Sequence, residues 1–298
     1  MWIPSPGAPL SCITMCNDFL KTRSAAIRRS NSAFTMVEIA ICLAIIGIAL
    51  VAIIGVLPIG MHSQQDTREE TVINEDAATL LPMIAHGLTG NDDLTNYIYA
   101  ITNYVTLYDA NGSVVKATTT CGYSYSGTSA SIGVAPFCSP VFLTNGANIV
   151  GLLRTPEYIA VTNNYPAVPL LTNNAYLYPV YSNHVVAYVH SISGLVSSKP
   201  PQDNQLMQSD SFSYKVYVVN SGVGLDSSSY DAPSNQQLWN NQHEVRLSFY
   251  YPLQPNGNVG PYSLSFRATV AGQLAPQFAN GQLLYFYQPG TFEVNTNL

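Results

Sequence analysis

Between Arg28 and Met61 the chain reads RRSNSAFTMVEIAICLAIIGIALVAIIGVLPIGM. From Ile39 to Met61 there is no charged side chain, and the next charge after Glu38 is Asp66. A helix over those residues is roughly 35 Å long, enough for a hydrocarbon core of about 30 Å. A run of this length and polarity confines the chain to folds in which one long helix leaves the globular part. Four basic residues precede it, Lys21, Arg23, Arg28 and Arg29, against the single acid Asp18. That bias keeps the N-terminus cytoplasmic, and the acidic flank of Asp66, Glu69 and Glu70 beyond the run is then translocated.

A cleaved secretory signal fits poorly, because the run is too long and no small-x-small site follows it. A lipoprotein signal fails as well, since Ile41 before Cys42 is too bulky. A plain anchor accounts for the length and the basic flank but not for Glu38. A carboxylate in a membrane helix costs about 2.5–3.5 kcal/mol on insertion scales and calls for a partner. Cleavage between Ala33 and Phe34 would create an α-amino group four residues before Glu38. In a packed bundle that cation on one subunit can pair with the acid on its neighbour, and a buried pair of this kind sets register more than it adds stability.

The run Ala33-Phe34-Thr35-Met36-Val37-Glu38, entered from basic residues and continued by the apolar segment, resembles the processing motif of the type IV pilin and type II secretion pseudopilin superfamily. The resemblance implies cleavage after Ala33 by a prepilin peptidase, N-methylation of Phe34, and ordering of neighbouring subunits through Glu38. It also implies partners: other pilin or pseudopilin subunits and the inner membrane. Three features depart from the usual pattern. Ala33 stands where Gly is common, the leader of 33 residues is long (Met15 would shorten it while keeping all four basic residues), and Pro58 lies slightly late for the family's helix-bending proline. In the tail, HEVRLSFYYPLQPNGNVGPYSLSFRATVAG, with VLPIGM after the apolar run, resembles a group of prepilin-like cassette proteins (Verru_Chthon cassette protein B).

Beyond Met61 the helix is expected to continue. Ile73, Ala77, Leu80, Ile84 and Leu88 form an apolar stripe of helical period suited to lie on a sheet, with Arg68, Glu75 and Asp76 on the opposite face. Pro82 threatens a kink, and Gly87 or Gly90 marks the stop. From Asn91 the period changes to that of strands. A hairpin is expected from Tyr97–Tyr108 to Ser113–Ala117 across Asp109-Ala110-Asn111-Gly112, and a second from Glu244–Tyr251 to Tyr262–Val270 across Pro255-Asn256-Gly257. Further strands are expected at Ile149–Leu153, Tyr158–Thr162, Val185–His190 and Ser213–Val219, with Leu284–Tyr287 and Phe292–Val294 closing the sheet. The fold class is therefore α+β: a long N-terminal hydrophobic, pilin-like helix packed on an antiparallel β-rich C-terminal head. The expected organisation is a removed leader at 1–33, a membrane and assembly helix at 34–61, its amphipathic continuation at 62–90, and an extracytoplasmic head at 91–298. Segment 197–210, with Lys199-Pro200-Pro201, reads as a loop or a boundary between two sublobes.

Composition limits the function classes. Only 9% of residues are charged, and of the 11 basic and 17 acidic residues four basic and one acidic precede Phe34. The remainder is strongly acidic and offers no basic stripe to displace phosphate counterions, which excludes nucleic acid as a partner. Cys12 and Cys16 fall in the leader and Cys42 in the apolar run, leaving Cys121 and Cys138 as a disulfide candidate in an exported head. Such a loop closure stabilises by roughly 3 kcal/mol, the alternative being two free buried thiols. No hydrolase elbow, zinc-protease helix, phosphate loop or dinucleotide fingerprint is present, so no enzyme activity and no cofactor are expected. His184 and His190 lie about 20 Å apart along one strand, too far to share a metal. Asp92, Asp93, Asp109 and Asn111 offer oxygens without a calcium-loop pattern, so no metal site is assigned. Two readings follow: a structural filament subunit, here a minor pseudopilin, or a membrane-anchored module whose Tyr- and Asn-rich head binds a glycan or an exported substrate.

Overall fold

A computed structural model of the chain describes residues 34–87, 91–109, 111, 113–124, 127–130, 143–162, 165–167, 171–172, 175–176, 180–193, 212–223, 233–279 and 282–292. Helix α1 runs from Met36 to His86, 51 residues in unbroken secondary structure through both Pro58 and Pro82. It belongs to two compact units, residues 1–59 and 60–298, which are described separately. In the first, every side chain from Phe34 to Ile59 is exposed, the apolar ones included. In the second, Ile73, Ala77, Leu80 and Ile84 are buried, the stripe expected from their spacing; Leu88 lies outside the described residues. The helix stops at Gly87, whose φ of +64° suits only the left-handed cap and whose N–H donates to the Met83 carbonyl at 3.0 Å.

Among the described residues the head is built on a nine-stranded sheet. Its strands are β1 (Ile98–Tyr108), β2 (Val115–Ser124), β3 (Gly127–Ala130), β4 (Tyr158–Thr162), β5 (Tyr165–Ala167), β8 (Val180–His190), β9 (Ser213–Gly222), β10 (Gln242–Leu253) and β11 (Val259–Ala271). The main path is β11-β10-β9-β8-β1-β2-β3, with every pair antiparallel. One edge of β8 pairs with β1; the other is shared, β4 taking Val180–Ser182 and β9 taking Val185–His190. Short strands β6 (Leu171–Thr172) and β7 (Ala175–Tyr176) form a separate pair. Segment 197–210 lies outside the described residues, and it joins β8 to β9, direct neighbours in one sheet.

Alternation along the strands sorts their side chains. Val185, Ala187 and Val189 of β8, Tyr214, Val216 and Val218 of β9, and Val245, Leu247, Phe249 and Tyr251 of β10 share one core with Ile73, Ala77, Leu80 and Ile84 of α1. Both expected hairpins form. In the first, Asp109 closes the turn by accepting the Ser113 and Val114 N–H groups at 3.1 and 3.2 Å; Ala110 and Gly112 lie outside the described residues. In the second, Gly257 supplies the positive φ of +84°. The β10–β11 register shifts between Tyr251 and Leu253, where Pro252 has no N–H to give the ladder.

Three expectations are corrected. Ile149–Leu153 is not a strand: Gly146–Leu153 forms a helix, α3, following the single turn α2 (Leu94–Tyr97). Asn145 decides it, because its side chain accepts the Ala147 N–H at 2.7 Å and caps the helix start. Leu284–Tyr287 does not close the main sheet. It lies in β13 (Gln282–Gln288), which pairs with β12 (Gln273–Ala279) in a separate ladder beside α3. The approach is close: a Cβ on Gly151 would sit 2.8 Å from Leu284 Cβ. Phe292 is outside any strand, and 293–294 lie outside the described residues. Finally, Asp76 is not on a solvent face but wholly buried. A last helix, α4 (Pro233–Asn241), leads into β10.

Candidate functional site

The start of α1 is held by a reciprocal pair of contacts. Thr35 precedes the first helical residue, and its hydroxyl accepts the Glu38 N–H at 3.3 Å. The Glu38 carboxylate in turn accepts the Thr35 N–H and hydroxyl, both at 3.4 Å. This is a capping box: the Glu38 side chain satisfies the Thr35 N–H, and the Glu38 N–H, which also donates to the Thr35 carbonyl at 3.0 Å, shares the Thr35 hydroxyl as a second acceptor. The acid also stands in the first turn, where the helix dipole favours negative charge. Glu38 therefore has a partner within its own chain, which the reading of it as an isolated membrane carboxylate missed, although Thr-x-x-Glu before an apolar run is legible in the sequence. Phe34 is exposed directly before this cap, and Ala33 lies outside the described residues. Pro58 sits within the continuous helix.

Around this box, residues 28–54 match the prokaryotic N-terminal methylation motif, the signature of type IV pilins and pseudopilins. No curated protein and no solved structure matches the chain. The narrower likeness of the tail to the cassette group is not confirmed. Helix α1 is long and apolar enough to cross a membrane, and its most apolar stretch is entirely unburied. Over residues 28–54 the chain is thus similar to type IV pilin-like precursors, and among the described residues one helix, α1, has the length and apolarity to cross a membrane. A motif of this kind points to a structural, non-enzymatic protein.

In the head, two buried polar residues fasten the second half of α1. Asp76 accepts four hydrogen bonds: from Tyr214 OH at 2.7 Å, the Ile192 N–H at 3.0 Å, the Ser193 N–H at 2.7 Å and the Ser193 hydroxyl at 2.6 Å. Burial, then the neighbouring Asp76, pushes the Tyr214 phenol well above its ordinary pKa. Arg154, just past α3, donates from Nε to the Ile84 carbonyl in the last turn of α1, where a cation is favoured. Its guanidinium lies 5.0 Å from the centre of the Tyr287 ring, and burial lowers its pKa against the opposing pull of Tyr287. Neither anchor was expected from sequence. The signal for Asp76 was its spacing, three residues after Ile73 and four before Leu80, which places it within the apolar stripe.

Cys121 is disulfide-bonded, and Cys138 lies outside the described residues. His184 is exposed on β8, whereas His190 is buried, stacked on Tyr99 at 4.5 Å and bonded to the Ser213 hydroxyl at 2.8 Å. Asp92 accepts the Gly146 N–H at 3.4 Å, so it and Asp109 serve backbone groups. Among the described residues no group of three or more His, Cys, Asp or Glu is placed to hold a metal.

Proposed function

We propose that this protein is a structural filament subunit, a minor pseudopilin of a type IV pilus or type II secretion-type filament. In this reading a prepilin peptidase cuts between Ala33 and Phe34, Phe34 is N-methylated, and residues 34–61 first anchor the chain in the inner membrane and then pack against other subunits. The N-terminus is cytoplasmic, and the head from residue 91 onward faces the periplasm or the cell surface. Cys121 pairs with Cys138 in that oxidising compartment.

The observation that carries the reading is the capped, exposed apolar helix lying under a methylation motif at residues 28–54. Apolar side chains over this length are stable only in lipid or against like helices. Glu38 acts twice: within the chain it caps α1, and in the filament its charge meets the Phe34 amino group of a neighbour. Mass spectrometry of the N-terminus isolated from membranes tests the processing. A mature chain beginning at N-methylated Phe34 is expected; an uncut N-terminus would return the protein to a plain membrane anchor.

A further inference from the structure

The head contains a cavity of about 380 Å³ between the end of β9, the start of β10, α4 and the β12–β13 ladder. That lies at the small end of the roughly 300–1,000 Å³ usual for small-molecule sites, room for one ring rather than a chain. Among the described residues its lining carries no Asp, Glu, Lys or Arg. Apolar wall comes from Tyr158, Leu274 and the indole of Trp239, which rests on the bare backbone of Gly222; a Cβ there would fall 2.5 Å from Trp239 Cδ2. Three polar side chains of the lining are more than nine-tenths buried, Asn220, His243 and Tyr285, and Asn220 is already bonded to the Arg154 carbonyl and the Tyr287 hydroxyl. Nε2 of His243 and the hydroxyl of Tyr285 have no hydrogen-bond partner among the described residues. Leaving two such groups buried and unmet is unfavourable, and it calls for an explanation at a site rather than in packing.

We propose that this cavity binds a neutral sugar residue, its ring packed against Trp239 and its hydroxyls bonded to His243 Nε2 and Tyr285 OH. The chemistry favours an alcohol. The His243 ring already bonds to the Asn240 backbone, so Nε2 is left as an acceptor for an O–H, while the Tyr285 hydroxyl can both give and accept. A carboxylate or ammonium would enter a site with no opposite charge to meet it. The mixture of aromatic wall and neutral polar atoms matches a ring with C–H faces and an O–H rim. The inference stands apart from the filament reading, since it concerns the head alone.

The test uses the full chain in a detergent without a sugar headgroup. Saturation-transfer NMR is run with glucose, galactose, mannose and N-acetylglucosamine, and with glucuronate and glucosamine as charged counterparts. At least one neutral sugar is expected to bind saturably, with both charged counterparts failing at the same concentration. Tyr285→Phe removes an unpartnered hydroxyl, so it should weaken that sugar at least tenfold without lowering the melting temperature. Trp239→Leu, at a partly buried position, should weaken it at least tenfold as well. Binding by none of the neutral sugars, equal binding of a charged counterpart, or unchanged affinity in both variants would overturn the proposal.

Discussion

The hydroxyl of Tyr214, in the middle of the sheet, donates a 2.7 Å hydrogen bond to Asp76 of the long helix, and both side chains are wholly buried. The carboxylate also takes the backbone N–H groups of Ile192 and Ser193 just after β8, so one residue ties the helix to two neighbouring strands. Asp76→Ala would leave these donors buried and unmet, and should destabilise the head by about 3–5 kcal/mol. Tyr214→Phe removes a single bond and should cost about 1–3 kcal/mol. The double variant should be less destabilised than the sum, because the phenol is no longer stranded. Denaturant midpoints at constant m-value measure all three.

The capping box separates two roles of Glu38. Glu38→Gln keeps a side chain that can cap the helix, but it has no charge to offer a neighbouring N-terminus. Glu38→Ala loses both. Each variant should insert in the membrane, and each should be absent from sheared filament fractions when co-expressed with its assembly system. If Glu38→Gln incorporates normally while Glu38→Ala does not, the cap rather than the charge carries assembly.

His243 makes stability depend on pH. Burial holds its folded pKa down to about 4 from the ordinary 6.5, outweighing the bond to the Asn240 backbone. The folded head thus keeps this ring neutral while the unfolded chain takes up a proton. Stability from this group is complete above about pH 6.5 and falls as pH drops toward 4, by about 3 kcal/mol in all. Melting temperatures of the wild type and His243→Gln should converge over that window. Parallel curves would remove His243 as the source.

Arg154 is expected to set the stability of the last turn of α1. Arg154→Ala removes the bond to the Ile84 carbonyl and the contact with Tyr287, and should cost about 2–4 kcal/mol. Amide exchange at Leu81–Gly87 should quicken more than exchange in β9 and β10. Uniform quickening would show a general loss of stability instead.

The parts legible in the sequence are those governed by local periodicity. Ile73, Ala77, Leu80 and Ile84 recur at helical spacing, and both hairpins carry turn chemistry at Asp109 and Gly257. The parts that were not legible depend on contacts distant along the chain. Ile149–Leu153 is apolar enough for a strand, and only the cap at Asn145 and the close seat against Leu284 select a helix. β12 and β13 have strand composition, but composition does not say which edge they join. Asp76 is a charge by type and a core residue by position, and the donors that settle it lie 116 to 138 residues away.

Residues 28–61 alone determine that one apolar helix begins behind a basic flank with a capped carboxylate at its start, because length, charge order and Thr-x-x-Glu spacing are local properties. Tertiary structure decides what the head can hold. His243, Tyr285 and Trp239 meet at one cavity only because β10, β13 and α4 converge there, and no spacing along the chain records that convergence.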